Sequence, residues 1–155
     1  AKAALADIYT KQGAVEVDMV MNYGFARSGE WDRVEEEIEA VTKAAHQNGA
    51  IVKVILETSQ LNQDQIAKAT ECSIRAHADF VKTSTGFHGE GATAEAVQTM
   101  LDTSRGRIKV KPSGGIRNLE TALKFVEMGV DRLGVGCNST RVICEGGKAD
   151  ETEGY

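Results

Sequence analysis

Asp79-Phe80-Val81-Lys82-Thr83-Ser84-Thr85-Gly86 is an apolar run that ends in a lysine and passes at once into a small, polar, glycine-containing loop. The same plan returns in Ile108-Lys109-Val110-Lys111-Pro112-Ser113-Gly114-Gly115, and upstream Asp18 interrupts Val15 to Met21 while Lys53 interrupts Ile51 to Leu56. Strands of a parallel sheet are covered on both faces and read as continuous Val/Ile/Leu runs. A buried, unpaired ammonium or carboxylate costs several kcal/mol, so charges in adjacent strands must face one another or water. Closing the sheet into a barrel gives them that shared centre, near the C-terminal ends of the strands where barrel enzymes place their chemistry.

Working outward, five strands are expected, near Val15 to Met21, Ile51 to Glu57, Asp79 to Thr85, Ile108 to Lys111 and Asp131 to Val135. The intervals read as helices. Trp31, Val34, Ile38, Val41 and Ala45 recur at three- and four-residue steps, and Gln63 to Ala76, Thr93 to Ser104 and Leu119 to Met128 are rich in helix formers, with Gly49, Gly106 and Gly129 as stop signals. Alternating strands and helices mark parallel βαβ units and an α/β fold. Ala1 to Lys11 is helix-like with no strand before it, so the chain reads as starting inside a repeating unit. Residues 1–145 are expected to form a partial barrel domain and 146–155 a mobile polar tail.

With 155 residues and 41% hydrophobic content, the chain suffices for one domain with a real core. A net charge of -5 gives no broad basic field for nucleic acid or an anionic membrane. No apolar run approaches the roughly 20 residues of a membrane span. Cys72, Cys137 and Cys144 are odd in number, lack metal-type spacing and stand apart from the three histidines. A cytoplasmic protein with a small-molecule partner, no structural metal and no disulfide framework is expected.

Lys82 and Lys111 stand out because both immediately precede polar glycine loops, the usual place of functional loops in α/β folds. Two ammonium groups close together in a partly desolvated pocket favour a neutral amine, which can attack a carbonyl. Lys53, Lys109 and Glu16 take the plainer reading of edge or snorkelling residues. Gly114-Gly115 precedes a helix starting around Asn118, and Gly134-Val135-Gly136 repeats that arrangement before Asn138 and Ser139. Free amides at such turns can hold an anion such as phosphate.

Val81-Lys82-Thr83-Ser84-Thr85-Gly86-Phe87 resembles the Schiff-base signature of the deoxyribose-phosphate aldolases, and Val110-Lys111-Pro112-Ser113-Gly114-Gly115-Ile116-Arg117 resembles their second-lysine signature. Glu16 to Asn22 is similar to the family's fourth strand and Lys53 to Thr58 to its fifth. The resemblance implies a TIM (β/α)8 barrel, of which about five βα units, strands four to eight, are present. It also implies a cofactor-free aldolase that reversibly cleaves 2-deoxy-D-ribose 5-phosphate to acetaldehyde and D-glyceraldehyde 3-phosphate in deoxyribose catabolism. Lys82 would form the imine, Lys111 would hold down the Lys82 amine and share in proton transfer, and Asp18 would relay protons. Gly86, Gly114, Gly115, Gly134 and Gly136 would grip the substrate phosphate. Some members end in a mobile tail whose terminal tyrosine assists proton transfer, and this chain ends in Tyr155. The competing readings are a non-catalytic barrel piece needing a homo-oligomer or a missing N-terminal segment, and a sugar-phosphate binding module without imine chemistry.

Overall fold

The computed structural model describes residues 1–146, so Tyr155 and nearly all of the expected tail lie outside the described residues. Helix α1 (Lys2–Lys11) precedes strand β1 (Glu16–Val20), followed by α2 (Tyr23–Arg27) and α3 (Trp31–His46). Next come β2 (Ile51–Ile55), a 3-10 turn (Thr58–Gln60), α4 (Gln63–Arg75), β3 (Phe80–Lys82), α5 (Ala94–Ser104), β4 (Lys109–Lys111), α6 (Leu119–Glu127) and α7 (Cys137–Cys144). The four strands pair in sequence order, all parallel. This is an α/β fold of parallel strands alternating with helices, as expected.

Local chemistry accounts for the boundaries. Asn62 caps α4 reciprocally with Gln65, while Thr93 and Asn118 accept the first free amides of α5 and α6. Val34, Ile38, Val41 and Ala45 are the buried stripe of α3, at the spacing read from the sequence.

Side chains alternate across a strand, and residues paired in register share a face. One face carries Val17, Met19, Val52, Val54, Val81 and Val110, and the last four are fully buried beneath the helices. Full burial of each valine contributes about 1.5 kcal/mol or more, so this face holds the fold. The opposite face forms rows: Asp18, Lys53, Phe80 and Lys109 in one, then Val20, Ile55, Lys82 and Lys111 in the next. The charges that break the apolar runs therefore all lie on one side.

The fifth expected strand, Asp131 to Val135, is not a strand of the sheet. It runs beside β4 through Asp131 N–H to Val110 O (3.0 Å) and Gly134 N–H to Pro112 O (2.8 Å), and makes a single parallel bridge, Ser113 with Gly134. Gly134 and Gly136 lower its strand propensity, and no further strand lies beyond it among the described residues. From this segment Arg132 reaches Glu16 on β1 at 3.0 and 2.8 Å. Four inter-strand steps would separate them by roughly 19 Å on a flat sheet. The contact requires the sheet to curl, with the charged face inside.

Candidate active site

Asp18 sits where the charges converge. Its Oδ1 accepts from Lys53 Nζ and its Oδ2 from Lys82 Nζ, both at 2.9 Å. Lys53 also donates to Glu16 at 2.6 Å, and Arg132 completes the chain from the far side while stacking 4.8 Å over Phe80. Lys82 lies next to Lys111 in register on the adjoining strand, and Lys111 has no ion-pair partner among the described residues.

The edge reading of Lys53 is corrected by this geometry. Its side chain is only 5% exposed, and its ammonium is held between two carboxylates on the inner face. Register explains this, because Lys53 stands directly opposite Asp18. Lys109 keeps the exposed position, 5.3 Å over the Phe80 ring. Glu16 is part of the ion-pair chain rather than a lone edge residue.

The electrostatics follow from these contacts. Burial pushes the Asp18 carboxyl up, but hydrogen bonds from Lys53 and Lys82 outweigh it and leave the carboxyl below its ordinary value. Arg132 and then Lys53 hold Glu16 down at about 2. Burial pulls Lys53 down, yet Glu16 and Asp18 reverse this and raise it. For Lys111 the attraction of Asp18 is too weak to compensate. Burial, and next the Lys82 ammonium, lower its amine from the ordinary lysine value.

Beyond the lysines the glycine loops meet. Gly114, Gly115, Gly134 and Gly136 line one shallow depression, together with Arg117 and Ser139. Gly86 lies next to this depression rather than in its lining, its Cα 3.6 Å from where a Cβ on Gly114 would stand. The amides of Gly86, Gly114, Gly115 and Gly136 donate to no acceptor among the described residues, whereas that of Gly134 is spent on Pro112 O. Gly134 instead allows the close approach of Ser113, which any side chain there would displace. The sequence reading brought these loops together but missed two members of the depression as site residues. Arg117 is an exposed cation at its rim, and Ser139 lies in the first turn of α7.

A larger apolar groove of about 270 Å³ lies elsewhere, between α1 and β1, lined by Leu5, Ala6, Tyr9, Val17 and Val41. Its charged lining residues are Lys2, which pairs with Glu37 at 2.8 Å, and Asp18, so of the Asp18–Lys82 ion-pair chain it holds Asp18 alone.

The profile of the DeoC/LacD family aldolases matches residues 2–146. The chain belongs to this family. Deoxyribose-phosphate aldolase 2 of Staphylococcus aureus (strain COL) is 55% identical over 124 residues, which are 80% of this chain and 56% of that protein. The structure of a candidate deoxyribose-phosphate aldolase from Coccidioides immitis superposes with a TM-score of 0.86 at 42% identity, over 92% of this chain and 56% of that one. A tetrameric deoxyribose phosphate aldolase from Aeropyrum pernix gives 0.77 at 32% identity, over 86% and 56%. The chain thus spans about half the length of these relatives and corresponds to part of an aldolase barrel. Among the described residues, no helix is long and apolar enough to cross a membrane.

Proposed function

We propose that this DeoC/LacD family chain carries the imine-forming side of a deoxyribose-phosphate aldolase site, acting on 2-deoxy-D-ribose 5-phosphate. The observation that carries the reading is the contact of Lys82 Nζ with Asp18 Oδ2 at 2.9 Å, with Lys111 in register beside it. A carbonyl-attacking amine needs a neighbour to disfavour its charge and a carboxylate to move its protons, and both stand next to Lys82.

The neutral Lys82 amine adds to the C1 aldehyde, and loss of water gives the imine. The bond from C2 to C3 then breaks as the C3 hydroxyl gives up its proton, releasing glyceraldehyde 3-phosphate and leaving an enamine. Protonation at C2 and hydrolysis release acetaldehyde and restore the amine. Asp18 exchanges protons with the carbinolamine and enamine through water, and Lys111 serves as the second proton carrier. The phosphate lies at the free amides of Gly86, Gly114, Gly115 and Gly136, where Gly134 permits the close approach. Tyr155, at the chain's end, is the further proton donor at the enamine carbon.

The chain spans about half the length of its relatives, so completing a closed barrel around the site is proposed to need the strands that lie in the rest of such a relative. Misplacement of reacting groups by about 1 Å can cost on the order of a hundredfold in rate. The test is borohydride reduction in the presence of acetaldehyde, followed by peptide mapping. One two-carbon adduct at Lys82 is expected, absent from Lys82→Leu, with faster trapping after co-expression of the N-terminal part of a related aldolase. Labelling spread over other lysines would overturn the assignment.

A further inference from the structure

Glu57 is fully buried, yet among the described residues its carboxylate has no cation partner. It also adopts a left-handed backbone, φ 54 and ψ 62, just past the end of β2. Both features are costly, and they persist only where surrounding contacts over-determine them. The contacts are specific. Glu57 Oε2 accepts from the Thr85 hydroxyl at 2.6 Å and Oε1 from the Thr85 amide at 3.2 Å. The same hydroxyl accepts the Phe87 amide at 3.2 Å. The N–H groups of Thr85 and Phe87 are therefore engaged, on Glu57 and on the Thr85 hydroxyl respectively, while the Gly86 N–H between them donates to nothing among the described residues.

The turn after β2 braces the rest of that loop as well. Ser59 Oγ donates to His88 O at 3.1 Å, and Ala92 N–H donates to Gly114 O at 3.1 Å. Gly91, at φ 80, presses against Gly114 so closely that a side chain there would meet the Gly114 backbone. The loop after Lys82 is thus clamped between the turn that begins at Glu57 and the glycine loop after Lys111. Lys82 and Thr83 are held independently, by Leu56 N–H to Lys82 O and Thr58 N–H to Thr83 O, each at 2.9 Å.

We propose that Glu57 is a positioning residue: its carboxylate fixes Thr85 so that the Gly86 amide is presented, beside Gly114 and Gly115, to a phosphate-type anion. The inference rests on the sugar-phosphate reading of this site. It separates two roles of one loop, with the sheet ladder placing the amine and Glu57 placing the anion donor. Removing a negative charge would, by Coulomb attraction alone, tighten phosphate binding. Releasing the loop would weaken it. The two effects have opposite signs, so the variant discriminates between them.

The experiment titrates inorganic phosphate into the full chain while following the amide resonances of Gly86, Gly114 and Gly115. In Glu57→Gln the apparent Kd should rise about tenfold, through the lost carboxylate hydrogen bond and its loop geometry. Acetaldehyde trapping at Lys82, which needs no phosphate, should stay within about twofold because the ladder still holds that residue. Thr85→Val should reproduce the phosphate defect and Thr85→Ser should restore binding, which keeps the test open if the Gln variant folds poorly. Unchanged or tighter phosphate binding overturns the proposal, as does equal loss of binding and trapping, which would mark Glu57 as a general stabiliser. Absence of phosphate binding in the parent chain overturns it together with the phosphate reading. Phosphate binding without trapping at Lys82 in the parent chain defeats only the imine reading, while the Glu57 comparison still stands on binding.

Discussion

The two faces of one four-stranded sheet obey opposite rules. Met19, Val54, Val81 and Val110 form an unbroken apolar row against the helices, while one residue away on each strand Asp18, Lys53, Phe80 and Lys109 form a row dominated by charge. A strand's period of two makes this possible. The apolar face supplies cohesion without chemistry. The charged face meets its own electrostatic cost by pairing, from Arg132 to Glu16 to Lys53 to Asp18 to Lys82. Lys111 is left out of that chain, and it is the lysine whose amine is lowered.

The sharpest way to break the comparison is to exchange the rules on β2. Val54→Asp places a carboxylate in the fully buried apolar row with no cation to meet it. A loss of about 4 kcal/mol or more is expected, enough to abolish cooperative urea unfolding at room temperature. If the variant unfolds cooperatively with a midpoint near that of the parent chain, the outer face is not the cohesive one.

Lys53→Met makes the reverse exchange one residue away. Asp18 keeps Lys82 and Glu16 keeps Arg132, and both carboxylates are about a third exposed, so a smaller loss of about 1–2 kcal/mol at pH 7 is expected. Both carboxyls titrate below their ordinary values, Glu16 at about 2. Stability from such groups is present above the unfolded-state pKa and disappears as pH falls through the folded one. The gap between variant and parent should therefore be full at pH 6 and shrink toward pH 2. Denaturant titrations at several pH values check this, and a gap that stays constant down to pH 2 would remove the ion pairs as its cause.

The same contrast explains what the sequence disclosed. The apolar face and its helices were legible because their periods, two and about 3.6, are written locally in Val, Ile, Leu and Ala. The convergence of Asp18, Lys82 and Lys111 followed from charge at strand ends. Lys53 was misread because its burial depends on register with Asp18, which no local pattern states. Arg132 pairs with a residue 116 positions away, visible only once the sheet curls. Glu57 left a single local trace, a carboxylate just past an apolar run, and nothing in its neighbours announces a left-handed backbone. The segment Asp131 to Val135 looked like its four predecessors, but a strand exists by pairing, and this one pairs at a single point.

The smallest expected effect on stability is also the one that separates fold from function most cleanly. Lys111 sits beside Lys82 with burial and a like charge both opposing its protonation, so its amine titrates below the ordinary lysine value. A lysine whose folded pKa is depressed penalises the folded state while it is charged. That penalty is complete below the folded pKa and vanishes as pH rises to the unfolded value, near 10.4. Lys111→Met removes the charge and keeps the apolar stem, so at pH 7 the variant should be slightly more stable than the parent chain, by a gain that solvent screening of this half-buried group keeps small and that fades toward pH 10 and above. Imine trapping should respond in the opposite sense. Without the Lys111 amine as second proton carrier, while Asp18 still holds Lys82 at 2.9 Å, trapping should be slower than in the parent chain. Thermal melts and borohydride trapping across pH 6 to 10 on the same two proteins measure both quantities. A variant that is less stable at pH 7, or that traps acetaldehyde as fast as the parent chain, would show that the unpaired lysine is a structural element like Lys53 rather than the strained member of a catalytic pair.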